Sequence, residues 1–213
     1  LTGLMGASVV NGANSKGVYT YVKHFVLNDQ ETNRDANGLV TWADEQTMRE
    51  IYLKPFEIIV KQADTKGIMS SFNRIGNVWT GGSYTLLTDV LRKEWGFVGM
   101  VITDYSVQNA YMPPNQMIRA GGDLYLTQGY LPSTMGSAVN STHLAAMRQA
   151  VKNILYVVTN SNAMNGKGEG IVYRYAMPYW QIGLIALNVV MWLLVVLIGV
   201  IRIRKTKKKH PIQ

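Results

Sequence analysis

The chain has 213 residues, 47% of them hydrophobic, with no cysteine and a formal charge of +8. A disulfide scaffold and a cysteine nucleophile are excluded, and the length permits one sizeable folded unit. The positive charge does not indicate a DNA-binding body, because Arg202, Arg204, Lys205, Lys207, Lys208 and Lys209 crowd the C-terminus and leave the rest close to neutral.

Turn-forming Asn14, Ser15 and Gly17 precede a short strand from Tyr19 to Val26, and the polar run from Asn28 to Asn37 reads as a loop. Lys23 and His24 therefore fall near a strand end. Thr41, with Asp44 three positions on, opens a helix that places Met48, Ile51, Tyr52, Pro55, Phe56, Ile59 and Ala63 on one face. Pro55 removes a backbone donor from that helix, so a kink or a restart is expected there.

The strand Gly67 to Phe72 follows, then a loop from Asn73 to Ser83. Ser83 can cap a helix from Tyr84 to Trp95. Gly99 to Asp104 is a strand whose apolar residues Met100, Val101 and Ile102 run up to a carboxylate. A short helix around Asn109 to Arg119 leads to a strand from Gly122 to Thr127. Ser141 or Thr142 opens a helix in which Leu144, Met147, Val151, Ile154, Leu155 and Val158 recur at helical spacing. The order is alternating β and α, which suits an open doubly wound sheet or part of a barrel. A complete (β/α)8 barrel needs about 250 residues, so a partial TIM-like barrel is expected.

Asn160 to Gly170 is linker-like. From Ile182 to Ile201 the chain runs without a charge, with Asn188 as its one markedly polar residue. Twenty such residues span roughly 30 Å as a helix, the thickness of a bilayer core. Tyr179 and Trp180 stand before the run and the basic cluster after it, the arrangement of a single transmembrane helix with a cytoplasmic basic flank and an extracellular body. The chain opens on Leu1 without a cleavable leader, which suggests a fragment of a longer protein.

A carboxylate at the C-terminal mouth of an apolar strand is where α/β barrels place functional groups, which singles out Asp104; a lone Asp there can equally cap a helix or pair with a base. Lys23, His24, Asn28, Gln30, Glu31 and Arg34 supply hydrogen bonds suited to a polyhydroxylated ligand. His24, His143 and His210 lie far apart with no cysteine beside them, so no metal is expected. Neither a dinucleotide nor a Walker spacing is present, so no cofactor is expected either. Asp123 reads as satisfying local backbone groups. Trp42, Trp79 and Trp95 read as packing residues, with Trp79 the best of them for a sugar subsite.

Three blocks, KHFVLNDQETNRD from Lys23 to Asp35, IMSSFNRIG from Ile68 to Gly76 and LLTDVLRKEWGFVGMVITDY from Leu86 to Tyr105, closely resemble glycoside hydrolase family three, the family of many β-glucosidases. The resemblance covers roughly residues 5 to 130 and continues more weakly to Val158. It implies a retaining hydrolysis with Asp104 as nucleophile. It implies that Lys23, His24 and Arg34 bind sugar hydroxyls, that Met69 lines the pocket and that Tyr105 holds a position usually filled by an aromatic. Phe72 stands where many relatives carry tyrosine, so a hydroxyl near the nucleophile is missing.

The resemblance further implies that the acid/base carboxyl comes from a separate α/β sandwich domain, expected upstream, and that two sugar ligands lie in earlier barrel loops. The expected organisation is a partial barrel domain over 1–159, a linker over 160–178, a transmembrane helix over 179–203 and a basic cytoplasmic tail over 204–213. The expected partners are a β-glycoside or oligosaccharide and the lipid bilayer, with no nucleic acid. The competing expectation is a membrane-tethered carbohydrate-binding or inactive scaffold protein.

Overall fold

The computed structural model describes residues 1–34, 38–106, 111–128, 140–164 and 176–209, with side chains to 205 in the last stretch. The chain divides into two compact units, Leu1–Lys167 and Gly168–Gln213.

The first unit is built on a parallel sheet of β1 (Tyr21–Phe25), β3 (Gly67–Ser70) and β6 (Met100–Ile102), in that spatial order. Tyr21 pairs with Gly67, and Ile68 with Val101. A parallel bridge from Ile102 to Leu124 adds a fourth position at the far edge. Sequential strands lie side by side, all parallel and separated by helices, which is the winding of part of a (β/α)8 barrel. Where a strand from Gly122 to Thr127 is expected, the pairing is a single bridge with backbone bonds around it, Leu124 N–H to Val101 O, Thr103 N–H to Leu124 O and Ser106 N–H to Leu126 O, while Leu126 N–H donates to Thr103 Oγ1. A side-chain hydroxyl there takes the place of a ladder bond.

The helix expected from Thr41 is interrupted. Thr41 belongs instead to the short strand β2 (Val40–Thr41), and Asp44 is the cap, its carboxylate accepting from Thr47 N–H at 2.7 Å. Helix α2 (Glu45–Thr47) passes into a π-helical turn over Met48–Tyr52, and α3 (Lys54–Gln62) starts afresh with Pro55 in its first turn, where a missing N–H costs no helical bond. The π turn rotates the apolar stripe. Ile51 consequently faces solvent, 60% exposed, while Ile59 and Ala63 are buried.

The segment 73–83, expected as a loop, contains β4 (Arg74–Ile75) and β5 (Val78–Trp79), which form a small sheet with β2. Ser83 Oγ accepts from Leu86 N–H at the start of a π-wound helix, Thr85–Glu94. Helix α4 (Pro114–Ala120) precedes Leu124; the expected start of a helix near Asn109 lies outside the described residues. Helix α5 (Ser141–Asn160) is capped by Asn140, one residue before the expected Ser141, through a bond from His143 N–H at 3.0 Å.

Phe25, Ile68 and Val101, one from each main strand, pack with Leu87, Leu91, Trp95 and Phe97 into the principal core. Phe25 meets Phe56 and Trp95 edge-on at 5.1 and 5.9 Å. Helix α1 (Thr2–Asn14), not anticipated from the Gly-rich start, packs Ala7 and Val10 against Ile59 and Ala63 of α3. Gly3 and Gly6 permit that approach: a Cβ on Gly6 would lie 2.5 Å from Ile59 Cδ1, and one on Gly3 2.9 Å from Ile58 Cβ.

In the second unit the described structure is α6 (Tyr179–Lys209), whose stretch Tyr179–Lys205 is long and apolar enough to cross a membrane.

Candidate active site

Val101 is buried on β6, and two residues beyond the strand's end Asp104 turns its carboxylate toward β1. One oxygen, Oδ1, accepts from Tyr105 N–H at 2.7 Å; the other, Oδ2, stands 3.8 Å from His24 Nε2. His24 lies near the C-terminal end of β1, and β3 runs between the two strands. Their side chains thus meet across the end of the middle strand, where Met69 is the half-buried register partner of Ile102. At 3.8 Å the pair is beyond hydrogen-bond distance, and the carboxylate acts on the imidazole through its field.

His24 is the electrostatic focus of this end of the sheet. Burial pushes its pKa below the ordinary 6.5 and is the largest influence; Lys23 and Arg34 push the same way, whereas Asp104 and Glu31 pull it up. The net result is a neutral imidazole at pH 7, able to donate from one nitrogen and accept at the other. Lys23 is exposed on the same strand. The peptide bonds Lys23–His24 and Phe25–Val26 are cis.

Arg34 is held by Glu31 Oε2 at 2.8 Å and lies over the Phe72 ring at 4.5 Å. Asn28 Nδ2 donates to the other oxygen of Glu31. Tyr105, next to the carboxylate, is 37% exposed. Asp35, which closes the first motif, lies outside the described residues. Asn73, not singled out from sequence although it sits in the second motif, is buried and donates to Leu27 O at 2.8 Å and to Thr41 Oγ1. It anchors the loop after β1 at a residue with φ of 62°.

A cavity of about 200 Å³ opens beside His24, lined also by Asn28, Asp29, Tyr52 and Phe56. Larger cavities between Gly82 and α4 (about 500 Å³) and between α4 and α5 (about 350 Å³) border neither His24 nor Asp104. Of Lys23, His24, Arg34, Met69, Phe72, Asp104 and Tyr105, only His24 lines the smaller cavity. Among the described residues no group of three or more His, Asp or Glu is gathered as for a metal ion.

Several other polar and aromatic candidates are structural. Asp123 is 1% exposed and accepts from Arg92 Nη2 at 2.7 Å, Val101 N–H at 2.6 Å and Asn153 Nδ2 at 2.8 Å. Burial pushes its carboxyl above the ordinary range even against these donors. Trp79 is buried and donates Nε1–H to Ser71 O, so it packs beneath the second motif rather than facing a ligand. Trp95 is in the core, and Trp42 is exposed.

The main sheet is wound like part of a (β/α)8 barrel, with Asp104 and His24 facing each other at its strand ends. Residues 1–158 match the glycosyl hydrolase family 3 N terminal domain, and the chain belongs to that family. It is 34% identical over 179 residues to a beta-glucosidase of Ruminococcus albus, covering 78% of this chain and 19% of that one. It is 39% identical over 166 residues to an exo-alpha-(1->6)-L-arabinopyranosidase of Bifidobacterium longum, covering 68% and 21%. Among solved structures, beta-glucosidase 3B from Thermotoga neapolitana in complex with alpha-D-glucose superposes with a TM-score of 0.63 at 32% identity, covering 76% of this chain and 23% of that one. The chain spans about a fifth of the length of these curated relatives.

Proposed function

We propose that this chain carries the nucleophile half of a retaining glycoside hydrolase that releases terminal non-reducing β-D-glucosyl or related residues, as part of a longer polypeptide. The observation that carries this reading is the approach of Asp104 and His24 at the C-terminal ends of parallel strands in a family 3 chain. An Asp104 oxygen attacks the anomeric carbon as the glycosidic C–O bond breaks, giving a covalent glycosyl-enzyme. The leaving oxygen takes a proton from a second carboxyl group. Water, deprotonated by that same group, then displaces Asp104. In a retaining site the two carboxyl groups stand about 5 Å apart. The second is assigned to an upstream α/β sandwich domain of the longer polypeptide.

In this reading Lys23, neutral His24 and Arg34 bind sugar hydroxyls, and Met69, Phe72 and Tyr105 line the pocket. Helix α6 anchors the protein in a bilayer, with the body outside the cell and the basic tail in the cytoplasm. The test is a 2-deoxy-2-fluoro-β-glucoside with a good leaving group, applied to the full-length protein. Covalent label on Asp104, lost in Asp104→Asn, is expected, and the 213-residue chain alone should hydrolyse little or nothing.

A membrane-tethered sugar-binding or inactive scaffold is the second reading. It is favoured by Phe72, which presents an apolar ring under Arg34 where many relatives place a hydroxyl. Saturable sugar binding by the full-length protein without label or turnover would select it.

A further inference from the structure

Arg34 rests on partners that do not themselves explain its placement. Glu31 is 68% exposed, and a solvent-exposed ion pair positions a guanidinium weakly. The Phe72 ring beneath Arg34 meets the Tyr111 ring edge-on at 5.4 Å. On Tyr111 lies a second guanidinium, that of Arg74, 4.0 Å from the ring centroid. Arg74 Nη1 in turn donates to the backbone carbonyl of Arg34 at 3.4 Å. The contacts close on themselves and join three separate stretches of chain: the loop after β1, the run from Phe72 to Arg74 leading from β3 into β4, and the segment before α4.

We propose that Arg74 and Tyr111 are positioning residues that hold the Arg34 guanidinium over Phe72, within electrostatic reach of His24, so that it meets a sugar already oriented. The circuit has the right chemistry for that task. A planar guanidinium stacks on an aromatic face better than an ammonium does, and a closed set of contacts restricts a long side chain more than any one of them alone. It also accounts for Phe72, whose ring meets both the Arg34 guanidinium and, edge-on, the Tyr111 ring. Neither Arg74 nor Tyr111 has to touch the sugar.

The inference rests on the reading of Arg34 as a sugar ligand, and its test separates the two. The groups acting on His24 are Lys23, Glu31, Arg34 and Asp104, so the imidazole reports where Arg34 stands. In the whole 213-residue chain in detergent micelles, the His24 titration is followed by NMR, with His24→Gln providing the assignment. Arg34 holds the His24 midpoint down, so Arg74→Gln and Tyr111→Leu should each shift it upward, in the direction of Arg34→Gln, while Tyr111→Phe should leave it in place. Glucose affinity should fall about tenfold in the first two variants, as for one loosened charge-assisted hydrogen bond.

Should Arg74→Gln fail to fold, Tyr111→Leu gives the same reading. An unmoved His24 midpoint in Tyr111→Leu, or in Arg34→Gln itself, overturns the proposal. Glucose affinities are read in the full-length protein, which carries the remaining sugar ligands; glucose that perturbs no His24 signal there rejects the sugar-site reading instead, and leaves the comparison of midpoints intact.

Discussion

Asp104 does two things to its surroundings that a neutral isostere would separate. It places negative charge 3.8 Å from His24, and it accepts the Tyr105 N–H that fixes its rotamer. Asparagine can keep the second role but not the first. Since Asp104 is one of the groups that pull the His24 pKa up against burial, Asp104→Asn should lower the His24 midpoint further below 6.5, as read from the imidazole carbon shifts between pH 4 and 8. A midpoint that rises, or that stays put, would mean the carboxylate does not face the ring in solution. Asp104 was singled out because it closes an apolar run and His24 because it falls near a strand end, and each sits in a long recognisable motif. Arg74 and Asn73 stood in another of these motifs, Ile68 to Gly76, and were passed over. An arginine or asparagine in a polar loop looks alike whether it is solvated or locked to Tyr111 and Leu27, and only the packing of distant segments distinguishes them.

At the scale of elements, the Arg92–Asp123–Asn153 cluster ties together the Thr85–Glu94 helix, the β6 edge and α5. Arg92 also donates to Gly99 O at 3.0 Å and Gly121 O at 2.9 Å, so one side chain closes two backbone carbonyls and a carboxylate. Removing one partner of a buried pair costs about 3–5 kcal/mol, and Arg92→Met should destabilise the first unit by that amount at pH 7 in chemical denaturation. Asn153→Leu leaves Asp123 Oδ1 short of a donor and should cost about 1–3 kcal/mol. The loss in Arg92→Met should depend on pH with a definite sign. Arg92 lowers the Asp123 pKa, so its removal raises the folded value further above the unfolded value of about 3.9. Between those two values the folded state binds more protons than the unfolded, so stability falls as pH rises. The deficit is then complete at pH 7 and shrinks as pH falls through the folded pKa. A deficit that grew on acidification would contradict the buried pairing.

The elements themselves were unevenly legible. Strands β1, β3 and β6 announced themselves as short apolar runs bounded by turn residues, and the restart at Pro55 followed from its missing donor. Helix α1 was hidden because Gly3, Gly6 and Gly12 look like loop, whereas two of the three serve close approach to α3. The π turn over Met48–Tyr52 was invisible for another reason: its extra residue per turn is imposed by packing, and it displaces Ile51 from the stripe that a 3.6-residue period assigns to it.

At the scale of the molecule, the alternation of strand and helix was plain from hydrophobic periodicity, but it suited an open doubly wound sheet as well as part of a barrel, and the strand order β1–β3–β6 came from the structure. Helix α6 poses a separate physical question. Over Tyr179–Lys205 its 27 residues extend about 40 Å, more than the roughly 30 Å of hydrocarbon they would have to cross, with Arg202, Arg204 and Lys205 gathered at one end and Tyr179 and Trp180 at the other. None of that apolar surface is buried within the protein, and so large an exposed apolar surface is costly in water. The 213-residue chain expressed in cells should therefore stay with the membrane pellet after alkaline carbonate extraction, and a chain ending at residue 175 should move to the supernatant. An arginine at Val195, inside the apolar run, adds about 2.5–3.5 kcal/mol to insertion and should shift a measurable share of the chain out of the carbonate-resistant pellet. Full recovery of the unaltered chain in the supernatant would remove the bilayer as a partner, and it would do so without touching the chemistry proposed for Asp104, in which α6 takes no part.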